Sequence, residues 1–116
     1  MYYIYMVRCS DRSHYTGIAR DIRRRLNEHC TRKKSAARYT LSHHVVCLDA
    51  LWIAPDRSIA QKAEARIKSL SAAKKKDLLL HPELLRSLAP GLDGCRYLPG
   101  MTLQNCLFGV PLHVLF

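Results

Sequence analysis

Two short runs of aromatic and β-branched residues, Tyr2 to Val7 and His14 to Ile18, flank the turn-prone stretch Cys9-Ser10-Asp11-Arg12-Ser13. Such residues suit a pleated, half-buried surface, and the break between them is the length of a hairpin loop. The chain is therefore expected to begin with two antiparallel strands. A hairpin centred near Ser10 sets Tyr5 and Tyr15 opposite each other, directly or within one register step, and opposed residues project to the same face. Two phenols are thereby directed toward one pocket, although tyrosine is also a common strand residue with a packing role.

Downstream the apolar spacing changes. Asp21 is suited to cap a helix in which Ile22, Leu26 and Cys30 recur every four residues, leaving Arg23, Arg24, Arg25 and Glu28 on the flanks and outer face. Thr31 to Ser42 reads as a basic loop, Val45 to Ile53 as the central strand, and Pro55 stops it. Asp56 or Ser58 can cap a second helix with Ile59, Ala60, Ala63, Ile67 and Leu70 on its apolar face, and Ser71 a third through Ala72 to Leu80. The order is strand, strand, helix, strand, helix, helix. Four of the five prolines and four of the five glycines fall after Leu80. The core domain is therefore expected over residues 1–80, with residues 81–116 as an extension whose apolar end, Leu107 to Phe116, packs on the domain or offers a route to a homo-oligomer.

Charge narrows the class of partner. Lys and Arg total 19 against nine Asp and Glu, a formal net charge of +10, and residues 1–80 carry 17 of the basic and seven of the acidic side chains. A small unit so biased favours a polyanion, nucleic acid before an anionic membrane surface. Five cysteines, odd in number and never spaced Cys-x-x-Cys, indicate reduced thiols and a cytoplasmic setting. Met1 to Val7 is too short for a signal-peptide core, and no run approaches the roughly 18 apolar residues of a membrane span. His29, Cys30, His43, His44 and Cys47 supply zinc-type donors but match no closed structural zinc spacing.

The candidate chemistry lies elsewhere. Arg25 and His29 share a helix face, so a guanidinium fork and an imidazole can meet one phosphate. Glu64 and Lys68 stand one turn apart, which reads either as a surface ion pair or as a carboxylate ligand for a hard cation that borrows phosphate oxygens. Arg20, Arg24, Arg32, Lys33, Lys34, Arg38, Tyr39 and Lys68 are the expected nucleic-acid contacts.

Together, Tyr3-Ile4-Tyr5, Tyr15-Thr16-Gly17, Arg25-Leu26, Arg38-Tyr39-Thr40 and Ala63 to Lys68 resemble the GIY-YIG endonucleases, in particular small single-domain bacterial members related to the UvrC nuclease domain and the Slx-type nucleases. The resemblance covers about residues 1–80. Tyr3 stands in place of the motif glycine, Thr16 in place of isoleucine, and Ile18 where some members carry a lysine. The resemblance implies an α+β fold with a small three-stranded antiparallel sheet flanked by helices, and magnesium- or manganese-dependent hydrolysis of DNA with one ion bound. It implies Tyr5, Tyr15, Arg25, His29 and Glu64 as catalytic residues, Glu64 as the metal ligand, and a place in repair or processing of DNA structures. Tyr5 is the favoured base, with Tyr15 positioning water or phosphate. The alternative is a nucleic-acid-binding module on the same fold with little or no turnover.

Overall fold

A computed structural model of the chain describes residues 1–31 and 45–99 and the backbone of two further short strands, Thr102–Leu103 and Val114–Leu115; for residues 29–31 it too describes backbone alone. The strands β1 (Tyr2–Cys9) and β2 (His14–Ala19) form the expected hairpin, followed by α1 (Ile22–Thr31), β3 (Val45–Ala54), α2 (Arg57–Lys68) and α3 (Ala72–Leu80). Among the described residues, each of these three α-helices starts on a side chain expected to cap it. Arg24 N–H donates to Asp21 Oδ1 at 3.1 Å, Ile59 N–H to Asp56 Oδ1 at 2.9 Å and Lys74 N–H to Ser71 Oγ at 3.2 Å.

The sheet has four strands where three were expected. A two-residue strand β4 (Arg96–Tyr97) pairs with Trp52 and Ile53 on the outer edge of β3, giving the antiparallel order β2-β1-β3-β4. A 3₁₀ helix, Pro82–Ser87, leads to it. This stretch is held by Trp52 Nε1 donating to the Pro82 carbonyl at 2.9 Å and by Leu98 N–H donating to the Leu51 carbonyl at 2.9 Å. Leu85, Leu92 and Cys95 are buried in the same core as the helices. Burying each of the two leucines contributes about 1.5–3 kcal/mol. Thr102–Leu103 and Val114–Leu115 become β5 and β6, paired antiparallel with each other.

Alternation along β1 divides the core in two. Ile4 and Met6 face α2 and α3 and pack with Trp52, Ala60, Ala63, Ile67 and Leu78. Tyr5 and Val7 face α1 and pack with Ile22, Leu26 and Leu51. Thr16, at the position where the motif has isoleucine, is buried opposite Met6.

Candidate active site at the β2 edge

The hairpin register differs from the expected one by a two-residue step. Tyr5 pairs with Gly17 and Val7 with Tyr15, so the loop turns about Asp11 and not Ser10. Cys9 N–H donates to the Ser13 carbonyl at 2.8 Å, and Asp11 Oδ1 accepts from Ser13 N–H at 3.0 Å, which fixes the five-residue turn. The phenols become diagonal neighbours on the α1 face. Their ring centroids are 6.2 Å apart with planes tilted by 46°, within the range of attractive aromatic pairs.

The register explains Gly17. A Cβ built there would lie 2.6 Å from Tyr5 Cζ and 3.1 Å from Tyr15 Cε1, inside the volume of both rings. Tyr5 is fully buried and has nowhere to retreat. Gly17→Ala is expected to cost about 1–3 kcal/mol of stability by overpacking and to pull Tyr5 away from its polar partner. A thermal melt of the variant with unchanged midpoint would show that the ring moves freely.

That partner is Arg25. Its guanidinium donates to the Tyr5 hydroxyl, and Nη1 lies 3.4 Å from Glu28 Oε1. Burial works against the Arg25 charge, but its hydrogen bonds to Tyr5 and Glu28 and their charges outweigh it and raise its pKa. Tyr5 itself is pushed well above the ordinary phenol range. The cause is first burial, then the neighbouring Tyr15, with Arg25 pulling the other way and Glu64 adding a small upward push. Glu28 was read from sequence only as a flank residue. Its spacing of three from Arg25 on a basic helix is the signal that links them.

The opposite side of the site comes from α2. Lys68 Nζ lies 5.6 Å from the centroid of the Tyr15 ring and 3.4 Å from Glu64 Oε2. The cation beside Tyr15 thus comes from the helix, whereas Ile18, where some members carry a lysine, packs against the core. Two helices on opposite faces of the sheet therefore reach round the edge strand β2. Tyr5, Tyr15, Arg25, Glu64 and Lys68 converge there, while Arg20 and Arg24 are solvent-exposed. The side chain of His29 and residues Arg32, Lys33, Lys34, Arg38 and Tyr39 lie outside the described residues, as do His43, His44 and the side chain of Cys30.

Among the described residues no group of three or more His, Cys, Asp or Glu side chains gathers in a way that would hold a metal unaided. Glu64, with 23% of its side chain exposed, fits a different kind of ion. A lone oxygen donor suits a hard divalent cation that keeps its waters and takes its remaining ligands from a phosphate. Among the described residues no helix is long and apolar enough to cross a membrane, and Cys9, Cys47 and Cys95 are free thiols.

Residues 1–77 match the family model of the GIY-YIG catalytic domain. The UPF0213 protein FN1575 of Fusobacterium nucleatum is 42% identical over 82 residues, covering 71% of this chain and 80% of that one. The UPF0213 protein YhbQ of Salmonella arizonae is 34% identical over 92 residues, covering 79% and 90%. The solution NMR structure of the UPF0213 protein BH0048 from Bacillus halodurans covers 78% of this chain and 98% of that one at 31% identity and a TM-score of 0.45.

Proposed function

We propose that this chain, which belongs to the GIY-YIG family of nuclease domains, is a divalent-metal-dependent endonuclease that hydrolyses phosphodiester bonds in DNA, in the repair or processing of DNA structures. One observation carries the reading: two phenols, a guanidinium and a carboxylate–lysine pair from four separate elements meet at the β2 edge. Packing accounts for the two rings but not for the charged groups placed beside them, and the set matches the needs of phosphoryl transfer, in which charge builds on phosphate oxygens and a water must lose a proton.

The roles follow from environment. Arg25, fixed by Tyr5 on one side and Glu28 on the other, is the group that binds the equatorial phosphate oxygens. Ionising a free phenol at neutral pH costs about 4 kcal/mol, and burial makes Tyr5 costlier still. Tyr5 therefore stays protonated and holds Arg25 in place, and the half-buried Tyr15 is the phenol that takes the proton from water. This exchanges the roles that the sequence favoured for the two tyrosines. Glu64 would hold the single magnesium or manganese ion, which when bound supplies Lewis-acid stabilisation of the phosphate and leaving oxygen.

Incubating the full chain with single-stranded, duplex and branched DNA, with and without magnesium, tests the proposal. Cleavage is expected only with the metal. Binding without cleavage on every substrate, under magnesium or manganese, would instead identify a binding module on this fold.

A further inference from the structure

On the sheet face opposite the two phenols, the turn end of the hairpin and α3 enclose a cleft of about 580 Å³. Its walls bring together Arg8 of β1, Arg12 of the turn and Lys75 and Lys76 of α3. Four cations thus face one carboxylate, Asp49, which is already engaged. His14 Nε2 lies 2.8 Å from Asp49 Oδ2 and Arg8 Nε 3.7 Å from the same oxygen. Arg8 also donates to Cys47 Sγ at 3.0 and 3.3 Å. Burial pushes that thiol's pKa up, so it does not add a second anion. Among the described residues, Arg12, Lys75 and Lys76 have no acidic partner.

Two features show that this charge is not a routine solvated face. Arg12 has φ of 71°, the left-handed region, and among the described residues it is the one non-glycine residue there. A turn built for stability alone would place Gly or Asn at that position, so the chain keeps a strained arginine at the cleft mouth. The cleft also adjoins the candidate active site along the chain. Lys68, which lies over Tyr15, ends α2, and Ser71 caps α3 three residues later. Basic groups therefore follow one another along the chain from Lys68, beside Tyr15, to Lys75 and Lys76, which share the cleft with Arg12.

We propose that this cleft is a second phosphate-binding surface for the backbone of the nucleic-acid substrate, so that a bound strand passes round the β2 edge from the tyrosines to the hairpin end. The inference rests on the nucleic-acid reading above and adds a surface that the charge of α1 and the basic loop did not indicate. The test measures binding of the full chain to labelled duplexes of increasing length, without divalent metal so that turnover plays no part. Lys75→Ala/Lys76→Ala is compared with the charge-matched Arg57→Ala/Lys62→Ala, both pairs lying on helices outside the core. The cleft pair is expected to lose about tenfold in affinity for long duplexes, little for the shortest, and to flatten the log–log salt slope by about two. The control pair should leave the length dependence unchanged.

Arg12→Gly relieves the strained backbone while removing one charge, so it should weaken binding with no fall in melting temperature. If cleft and control pairs behave alike, the proposal fails. It also fails if inorganic phosphate or a mononucleotide saturates the cleft while duplex leaves the amide resonances of Arg12 and Lys75 unmoved, which would mark a small-anion site. A wild type that shows the cleft-dependent binding and never cleaves refutes the nuclease reading alone.

Discussion

Glu64→Gln is expected to abolish metal-dependent cleavage, with DNA affinity held within a few fold. The amide keeps the size of the side chain and removes the charge that would attract the ion, while binding comes from cations elsewhere on the surface. The fold should not suffer. The pair with Lys68 is half-exposed on the lysine side, and such pairs are worth only about 0.3–0.5 kcal/mol. Manganese binding followed by EPR in the presence of uncleavable DNA gives a readout independent of turnover, and it should be lost in the variant. Wild-type cleavage by Glu64→Gln would remove the carboxylate from the metal site and leave it as a helix-surface ion pair.

Tyr15→Phe should lower single-turnover cleavage by about 10²–10⁴, the usual range for deleting a general base, with little effect on stability because Tyr15 is only half-buried and the variant keeps its ring. Tyr5→Phe should behave differently. It strips Arg25 of an acceptor inside the core, so a loss of about 0.5–1.5 kcal/mol of stability should accompany a smaller loss of rate. Comparing the two variants by melting temperature and by rate against pH separates a proton acceptor from an arginine support. If Tyr5→Phe has the larger rate defect and alone loses the pH dependence, the assignment of the two phenols is reversed.

Local chemistry was legible in the sequence wherever one residue decides a structure. The caps Asp21, Asp56 and Ser71 act as their side chains dictate, and the hairpin forms where aromatic and β-branched runs flank polar residues. Register was not legible, because it depends on how the loop between β1 and β2 closes. The Asp11 side chain and the left-handed Arg12 move the centre of the turn by one residue and the pairing by two. The fourth strand escaped because Arg96–Tyr97 has no pattern of its own. Its partner edge, and the Trp52 side chain that reaches Pro82, select it. In the site, spacing put Arg25 and His29 on one helix face, able to reach one phosphate together, and the His29 side chain lies outside the described residues. The structure joins Arg25 to Glu28 and Tyr5, contacts that only the packing of α1 on the sheet can set.

The placement of the site on a strand edge, between helices from opposite faces, has a topological corollary. A pocket sunk into a sheet face admits a chain terminus or a small molecule, but an edge is convex along one direction. Arg25, Glu64 and Lys68 are each partly open to solvent there, with side-chain exposures of 27%, 23% and 50%. A polymer can straddle such a ridge anywhere along its length and continue past it on both sides. No free end has to be found or threaded, so a covalently closed circle is as accessible as a linear fragment.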